Sequence, residues 1–382
     1  MRPVLSVIGT RPNYMKIAPV MAAFNAHNPV IDHVLVHTGQ HFDANMETVF
    51  FDALGASRPD YNLEVGAGSH AMQTGEMMKR LDPVFDAVDP ACVLVVGDVN
   101  STLAAALVAA KRGIPLIHVE SGLRSADRSM PEEINRIIVD QLADVLFTTE
   151  RTAADNLTKE GIDSQRICFV GNVMIDSLVR AKASAISALQ TLQVNAVTEA
   201  SAKIANGYVL VTLHRPSNVD DREQFIELIN GLNHIALQRP IIFPMHPRTK
   251  NNLSKFGLQK NLCGQWFILE PQGYFEMIGL MRDAFAVCTD SGGVQEETTM
   301  LGVPCLTLRE NTERPITISQ GTNRLVGTSA MKIMAAYEAL VSDIAVGVDR
   351  SLPKPEYWDG QSSNRIATEI WRRREHLNLL AR

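Results

Sequence analysis

From its first residues the chain alternates short runs of β-branched and other apolar residues with longer segments that are alanine-rich or apolar at helical spacing. VLSVIG (Val4 to Gly9), HVLVHTG (His33 to Gly39), CVLVVGD (Cys92 to Asp98), PLIHVES (Pro115 to Ser121), VLFTT (Val145 to Thr149) and RICFVGN (Arg166 to Asn172) predict strands in the first half. GYVLVTLH (Gly207 to His214), PIIFPMH (Pro240 to His246), QWFILEP (Gln265 to Pro271), AFAVCTD (Ala284 to Asp290) and VPCLTL (Val303 to Leu308) predict more in the second. Continuously apolar strands separated by helix-length segments point to parallel sheets covered by helices on both faces. Helices are expected in STLAAALVAAKRG, with Ser101 capping its start and Gly113 ending it, and in INRIIVDQLAD behind Pro131. Two more are expected in the Ala- and Ser-rich SLVRAKASAISALQTL and in the closing RIATEIWRRREHLNLLAR. The expected fold is α/β, with two doubly wound Rossmann-like domains facing across a cleft, residues 1–172 and 173–364, joined near Gly171 to Asp176.

The composition supports this and removes some functions. A chain of 382 residues, 46% hydrophobic and 20% charged, can bury two cores. Its 42 acidic against 36 basic residues give a net charge of −6, so no nucleic-acid partner is expected. No apolar run reaches the roughly 18 residues of a membrane helix, and the apolar part of the start is too short for a secretory signal. A soluble, cytoplasmic protein without membrane contact is the expectation. Cys92, Cys168, Cys263, Cys288 and Cys305 lie far apart without metal-like spacing and read as small core residues, so no structural zinc is expected.

Nearly every predicted strand ends in an ionisable or small polar group. Asp98 ends VVGD, Glu120 ends IHVE, His214 ends VTLH, His246 ends FPMH, and Asp290 with Ser291 ends VCTDS. Strand ends of one parallel sheet converge, so these groups can line one site, although single residues of this kind also serve as caps. In DSGGVQEE (Asp290 to Glu297) two glycines open a helix, which suits a diphosphate, and Glu296 or Glu297 could accept from a ribose. GTRPNYMK (Gly9 to Lys16) lacks the second glycine of a Walker loop, but Arg11 and Lys16 offer positive charge to a diphosphate. Gly66, Gly68 and Ala71 have dinucleotide-fingerprint spacing in the wrong context, so no nicotinamide cofactor is expected.

GTRPNYMKIAP, HTGQHFDANM, GDVNST, HVESGLR, MPEEINR, VGNVMID, TLHRPSN and TDSGGVQEETTMLGVPCLTLRENTERP resemble, in order, the non-hydrolysing UDP-N-acetylglucosamine 2-epimerases of bacteria. The resemblance runs from about Gly9 to Gly327. It implies a glycosyltransferase-B-like fold whose final helix, 365–382, crosses back to the first domain. It also implies a homodimer, no cofactor, no metal, and reversible inversion at C2 of a UDP-amino sugar by elimination and re-addition of UDP. Carried over by position, Asp98, Glu120, Glu132 and His214 are its catalytic residues. Arg11, Lys16 and Arg136 match cations around the diphosphate, Ser291, Gly292 and Gly293 its backbone cradle, Glu297 the ribose ligand, His246 a position near the nucleotide, and Arg314 a further anion ligand. Gln40, His41, Asp43 and Arg215 match an effector region in part. The short loop SADRSM and the HTGQHFDANM segment also resemble relatives acting on UDP-2,3-diacetamido-2,3-dideoxy-glucuronic acid, for whose carboxylate Arg124 and Arg128 are candidates. A UDP-sugar glycosyltransferase is the competing reading, because a diphosphate cradle alone fits both.

Overall fold

The apolar runs form strands where both faces can be covered. A computed structural model describes residues 1–39, 58–347 and 354–380. Among them, β1 (Val4–Ile8), β2 (His33–His37), β3 (Tyr61–Asn62), β4 (Cys92–Val96), β5 (Leu116–Ser121), β6 (Val145–Thr148) and β7 (Ile167–Phe169) make one sheet in the order β3-β2-β1-β4-β5-β6-β7. A second sheet holds β8 (Val209–Thr212), β9 (Ile241–Pro244), β10 (Trp266–Leu269), β11 (Ala286–Thr289), β12 (Cys305–Thr307) and β13 (Asn323–Leu325) in the order β10-β9-β8-β11-β12-β13. All pairings are parallel, so the expected α/β, doubly wound class is the one found. Strand order reverses between β1 and β4 and between β8 and β11, and at such switch points the carboxyl ends of the strands open onto a ligand crevice.

The chain divides into Met1–Arg180 with Glu356–Arg382, and Ala181–Pro355. The first unit is built on a core that includes Val7, Phe85, Val95 and Val139, and the second on one that includes Val211, Phe225, Ile235 and Tyr337. The C-terminal helix Ser362–Arg372 belongs to the first unit, where Asp176 caps it by accepting from Ser362 and Ser363 N–H at 3.1 and 2.6 Å. Arg365 and Arg373 donate to the Val170 and Gln165 carbonyls, at 3.2 and 2.8 Å, at either end of the edge strand β7. Among the described residues no helix is long and apolar enough to cross a membrane.

Several local expectations fail. β3 and β13 have no counterpart among the predicted strands, because strands of two and three mostly polar residues carry no period. The helix Asn100–Lys111 begins after Val99, without a side-chain cap, so Ser101 is buried in its first turn instead of capping it. The segment expected as one helix through residues 177–192 breaks into Val173–Ala181, a turn at Lys182–Ser184, and Ala188–Val194. Ser187 and Gln190 form a capping box there, and Ile186 N–H donates to the Phe275 carbonyl at 3.1 Å, so local hydrogen bonds outcompete helix continuation. The last helix stops at Arg372, and the turns that follow, with Asn378 at φ +57, leave Leu377 and Leu379 both buried.

The break at Ile186 is enforced by the close approach of helix Tyr274–Arg282: a β-carbon on Gly279 would land on the Ile186 carbonyl oxygen. Alanine favours a helix over glycine by about 1 kcal/mol, whereas overpacking costs roughly 1–3 kcal/mol. Gly279→Ala is therefore expected to lower the thermal midpoint; a midpoint that rises would show that the Ile186 turn gives way.

Candidate functional site

In the first unit the polar strand ends meet at the switch point. The pairing of β5 with β6 slips between Val119 and Ser121, and the residue in the bulge, Glu120, has φ +69. A non-glycine residue holds this left-handed conformation only where its surroundings fix it. The bulge brings the Glu120 carboxylate to Lys16, Oε1 to Nζ 2.8 Å, with both side chains buried. Lys16 lies on the helix Arg11–Ala26, which Asn13 anchors: its Oδ1 accepts from Gly9 and Thr10 N–H at 3.2 and 3.1 Å, and its Nδ2 donates to the Val96 carbonyl at 3.1 Å. Gly97 has φ +67, and a β-carbon there would sit 2.7 Å from the Lys16 ammonium. The following residue, Asp98, is ion-paired with Arg136, while Asn135 donates to the Asp98 carbonyl at 2.8 Å.

The helix Pro131–Leu142 supplies two neighbouring acids with different surroundings. Glu133 is buried and accepts from Arg136 Nε and Nη2 at 2.9 and 2.6 Å and from Ser125 and Ala126 N–H at 3.0 Å each. Burial alone would raise its carboxyl, but the Ser125 amide and the Arg136 guanidinium outweigh this and hold it below the usual range. It braces the short loop. Glu132 is half-buried and pairs with nothing among the described residues, so its carboxylate remains open to a ligand. Arg124, expected as a partner for a substrate carboxylate, is instead committed to Asp140 and Glu160, each at 2.7 Å. Arg128 is exposed and pairs with no acid among the described residues.

In the second unit β8 and β11 end side by side. Buried Asp290 accepts from His214 and Arg215 N–H at 3.0 and 2.9 Å and from Asn218 Nδ2 at 3.2 Å, and its Oδ1 lies 2.8 Å from His214 Nδ1. Burial would raise Asp290; the His214 ring and the two amides hold it low instead. An ionised carboxylate only accepts, so Nδ1 is the donor and Nε2 is the atom on which His214 can take a proton. His246, which caps the helix Pro247–Lys255, accepts Arg248 N–H on Nδ1 at 3.2 Å, so its hydrogen is on Nε2. The two rings stand 5.8 Å apart.

Beyond β11, the helix Gly292–Leu301 starts at Ser291 with no side-chain cap, which keeps its first-turn amides suited to an anion. Beneath it, Glu313 meets Arg309 at 2.8 Å and Arg215 at 3.4 Å, and Arg314 Nε goes to Glu296 at 2.7 Å. Burial opposes ionisation of Glu313, but Arg314, Arg309 and Arg215 together hold it far below the carboxylate range. Arg215 also donates to the Asp290 carbonyl at 2.9 Å. Burial pushes the Glu297 carboxyl up to about 8; Tyr274 opposes the shift and the charge on Glu296 adds to it.

The structure thus groups Lys16, Asp98, Glu120 and Arg136, with Glu132 on the helix that carries Arg136, in one unit. His214, Arg215, Ser291 and Gly292 are joined through Asp290 and Glu313 in the other, with His246 next to His214 and Glu297 and Arg314 on and against the Gly292–Leu301 helix. Gly293 follows in that helix. Gln40, His41, Asp43 and the Arg11 side chain lie outside the described residues. Sequence reasoning missed Asp290 as the partner of His214, although neighbouring strands at a switch point predict that their following residues meet. It also missed Glu133 and Glu313, for which the spacing carries no signal. Among the described residues no group of His, Cys, Asp and Glu is placed to hold a metal.

The family model for UDP-N-acetylglucosamine 2-epimerase matches residues 23–371. The UDP-N-acetylglucosamine 2-epimerase of Methanococcus maripaludis is 42% identical over 345 residues, covering 88% of this chain and 90% of that protein. The UDP-2,3-diacetamido-2,3-dideoxy-D-glucuronate 2-epimerase of Pseudomonas aeruginosa is 38% identical over 369 residues, covering 95% and 98%. The crystal structure of the Methanocaldococcus jannaschii UDP-GlcNAc 2-epimerase in complex with UDP-GlcNAc and UDP superposes with a TM-score of 0.86 at 39% identity, covering 97% of this chain and 99% of that one.

The raised Glu297 carboxyl has a stability consequence. In the native protein it keeps its proton until about 8, whereas in the unfolded chain it ionises near 4.5. Between those values the native state binds the extra proton, so stability falls as pH rises. Glu297→Gln removes this penalty: the thermal midpoint of the variant should gain on the wild type from pH 5 to pH 8, and a pH-independent difference would show that the carboxyl titrates normally.

Proposed function

Because the chain belongs to the UDP-N-acetylglucosamine 2-epimerase family, we propose that it interconverts UDP-N-acetylglucosamine and UDP-N-acetylmannosamine by eliminating UDP across C1 and C2 and adding it back at C1 with the C2 proton returned to the opposite face. The observation that carries this reading is the pair of cation-matched carboxylates at one switch point, Glu120 with Lys16 and Asp98 with Arg136. The C2 hydrogen lies beside an acetamido nitrogen and lacks the acidity conferred by a ketone, so its removal must accompany departure of the anomeric oxygen. The C2–H electron pair becomes the C1–C2 double bond, and the C1–O pair leaves on the β-phosphate of UDP. Inversion returns the proton to the opposite face, so groups on both faces are needed, and Asp98, Glu120 and Glu132 are the carboxylates for that exchange. His214 contributes Nε2 as a further proton acceptor, oriented by Asp290.

Lys16 and Arg136, with Arg11, offset the charge that builds on the leaving diphosphate. The first-turn amides from Ser291 to Gly293 suit the diphosphate of a UDP-sugar, with His246 beside His214 and Arg314 paired to Glu296 of the same helix. Glu297, carrying its proton, can both donate to and accept from the ribose hydroxyls. The reaction is redox-neutral and the proton and electron pairs balance within substrate and protein, so it requires no cofactor.

The Pseudomonas relative favours a second substrate, the diacetamido uronate, for which exposed Arg128 is the partner of the extra carboxylate. Incubation in D2O with UDP-N-acetylglucosamine, and in parallel with the uronate, followed by NMR of the anomeric and C2 protons, separates the cases. Deuterium at C2 with a new manno anomeric signal from the first compound is expected; turnover of the uronate alone would move the substrate, and no exchange from either would overturn the reading. Asp98→Asn and Glu120→Gln should each lower kcat by about 10²–10⁴-fold while UDP still binds, and wild-type turnover in either would remove that residue from the chemistry.

A further inference from the structure

Beneath the same strand ends lies an ionic pair that the proposed chemistry does not use. His118 in β5 and Asp140 on the helix Pro131–Leu142 are both fully buried. The imidazole reaches in two directions: Nδ1 lies 2.6 Å from Asp140 Oδ1, and Nε2 lies 2.8 Å from the Gly97 carbonyl oxygen. Both partners are acceptors, so both contacts are satisfied together when each ring nitrogen carries its hydrogen. Asp140 is fit for its part, because His118 and Arg124 outweigh the effect of burial and hold its carboxyl below the usual range. Its second oxygen accepts Gly122 N–H at 3.0 Å and meets Arg124 at 2.7 Å.

The main-chain atoms gripped in this way flank the two acids. Gly97 immediately precedes Asp98, and Gly122 follows Glu120 after one residue. Both glycines have positive φ, +67 and +79, so the chain at these points has conformational freedom that something must remove. Gly97 N–H also donates to the Val119 carbonyl at 3.0 Å, next to the bulge. We propose that His118 is a positioning residue for the reaction: one ring, through the Gly97 carbonyl on one side and through Asp140 to the Gly122 amide on the other, sets the Asp98 and Glu120 carboxylates relative to each other. This rests on the reading of those two carboxylates as the reacting groups. A displacement of about 1 Å at a reacting group can cost about 10²-fold in rate, so removing the link should be visible in kcat.

Two isosteric replacements separate positioning from bulk stability. In His118→Gln the amide nitrogen takes the place of Nε2 and keeps the Gly97 contact; in His118→Asn it takes the place of Nδ1, keeps Asp140 and releases Gly97. Each replacement cuts one side of the link, so each is expected to lose about 10²-fold in kcat with KM and UDP affinity within a few-fold of wild type. A purely structural role would lower both in step with their thermal midpoints. Wild-type kcat in either variant, or losses that only follow the thermal midpoints, would overturn the proposal. If His118→Asn does not accumulate as folded protein, Asp140→Asn carries the test: a loss in kcat at unchanged UDP affinity is expected, and wild-type kcat would overturn the proposal in the same way. Absence of turnover by the wild-type protein would remove the underlying assignment of Asp98 and Glu120 and this role with it, whereas wild-type turnover with an indifferent His118 would remove this role alone.

Discussion

Glu120 could not stand where it does without Lys16. Taking a carboxylate out of water costs several kcal/mol, and holding a non-glycine residue at positive φ adds about 1–3 kcal/mol. An ammonium at 2.8 Å, itself buried and uncompensated alone, acts against both costs. Much of the first unit's switch point follows from seating this pair. Asn13 must hold the helix that carries Lys16 against Val96, position 97 must lack a side chain because the ammonium fills that space, and Asp98 therefore emerges beside the pair, with Arg136 as its own cation.

The second unit meets the same constraint differently. Its buried acid, Asp290, is compensated by main-chain amides and by an imidazole that is part-exposed, so the acid supports the ring and leaves its Nε2 as the atom that can take a proton. In the first unit the acids themselves are the groups assigned to proton exchange in the proposed reaction. One topology, a parallel sheet with reversed order, thus yields two crevices with different aptitudes: proton exchange beside matched cations, and an uncapped helix start suited to a diphosphate. Cradle alone would suit any UDP-sugar enzyme; the cation-matched carboxylates are what favour elimination over transfer.

The class of fold was legible because eleven apolar runs are long enough to show a pattern, and topology then brings their polar ends together without further information. What stayed hidden depends on neighbours distant in sequence. Glu132 and Glu133 read alike as acids opening a helix, and only the amides of Ser125 and Ala126 and the Arg136 guanidinium make the second a brace and leave the first open. Arg124 and Arg128 read alike in the loop until Asp140 and Glu160 claim the first. The break at Ile186 depends on a helix nearly ninety positions later that passes too close to tolerate a side chain at Gly279. The motif resemblance supplied the reaction, which periodicity and spacing could not.

In the proposed reaction the anomeric C–O bond breaks while the protein holds both halves. Positional isotope exchange tests this most directly: substrate carrying ¹⁸O in the bridge between C1 and the β-phosphorus is incubated with the protein and recovered. Elimination and return predict that the label spreads to the non-bridging β-phosphate oxygens at a rate comparable to epimerisation. Epimerisation with the label fixed in the bridge would show that this bond stays intact.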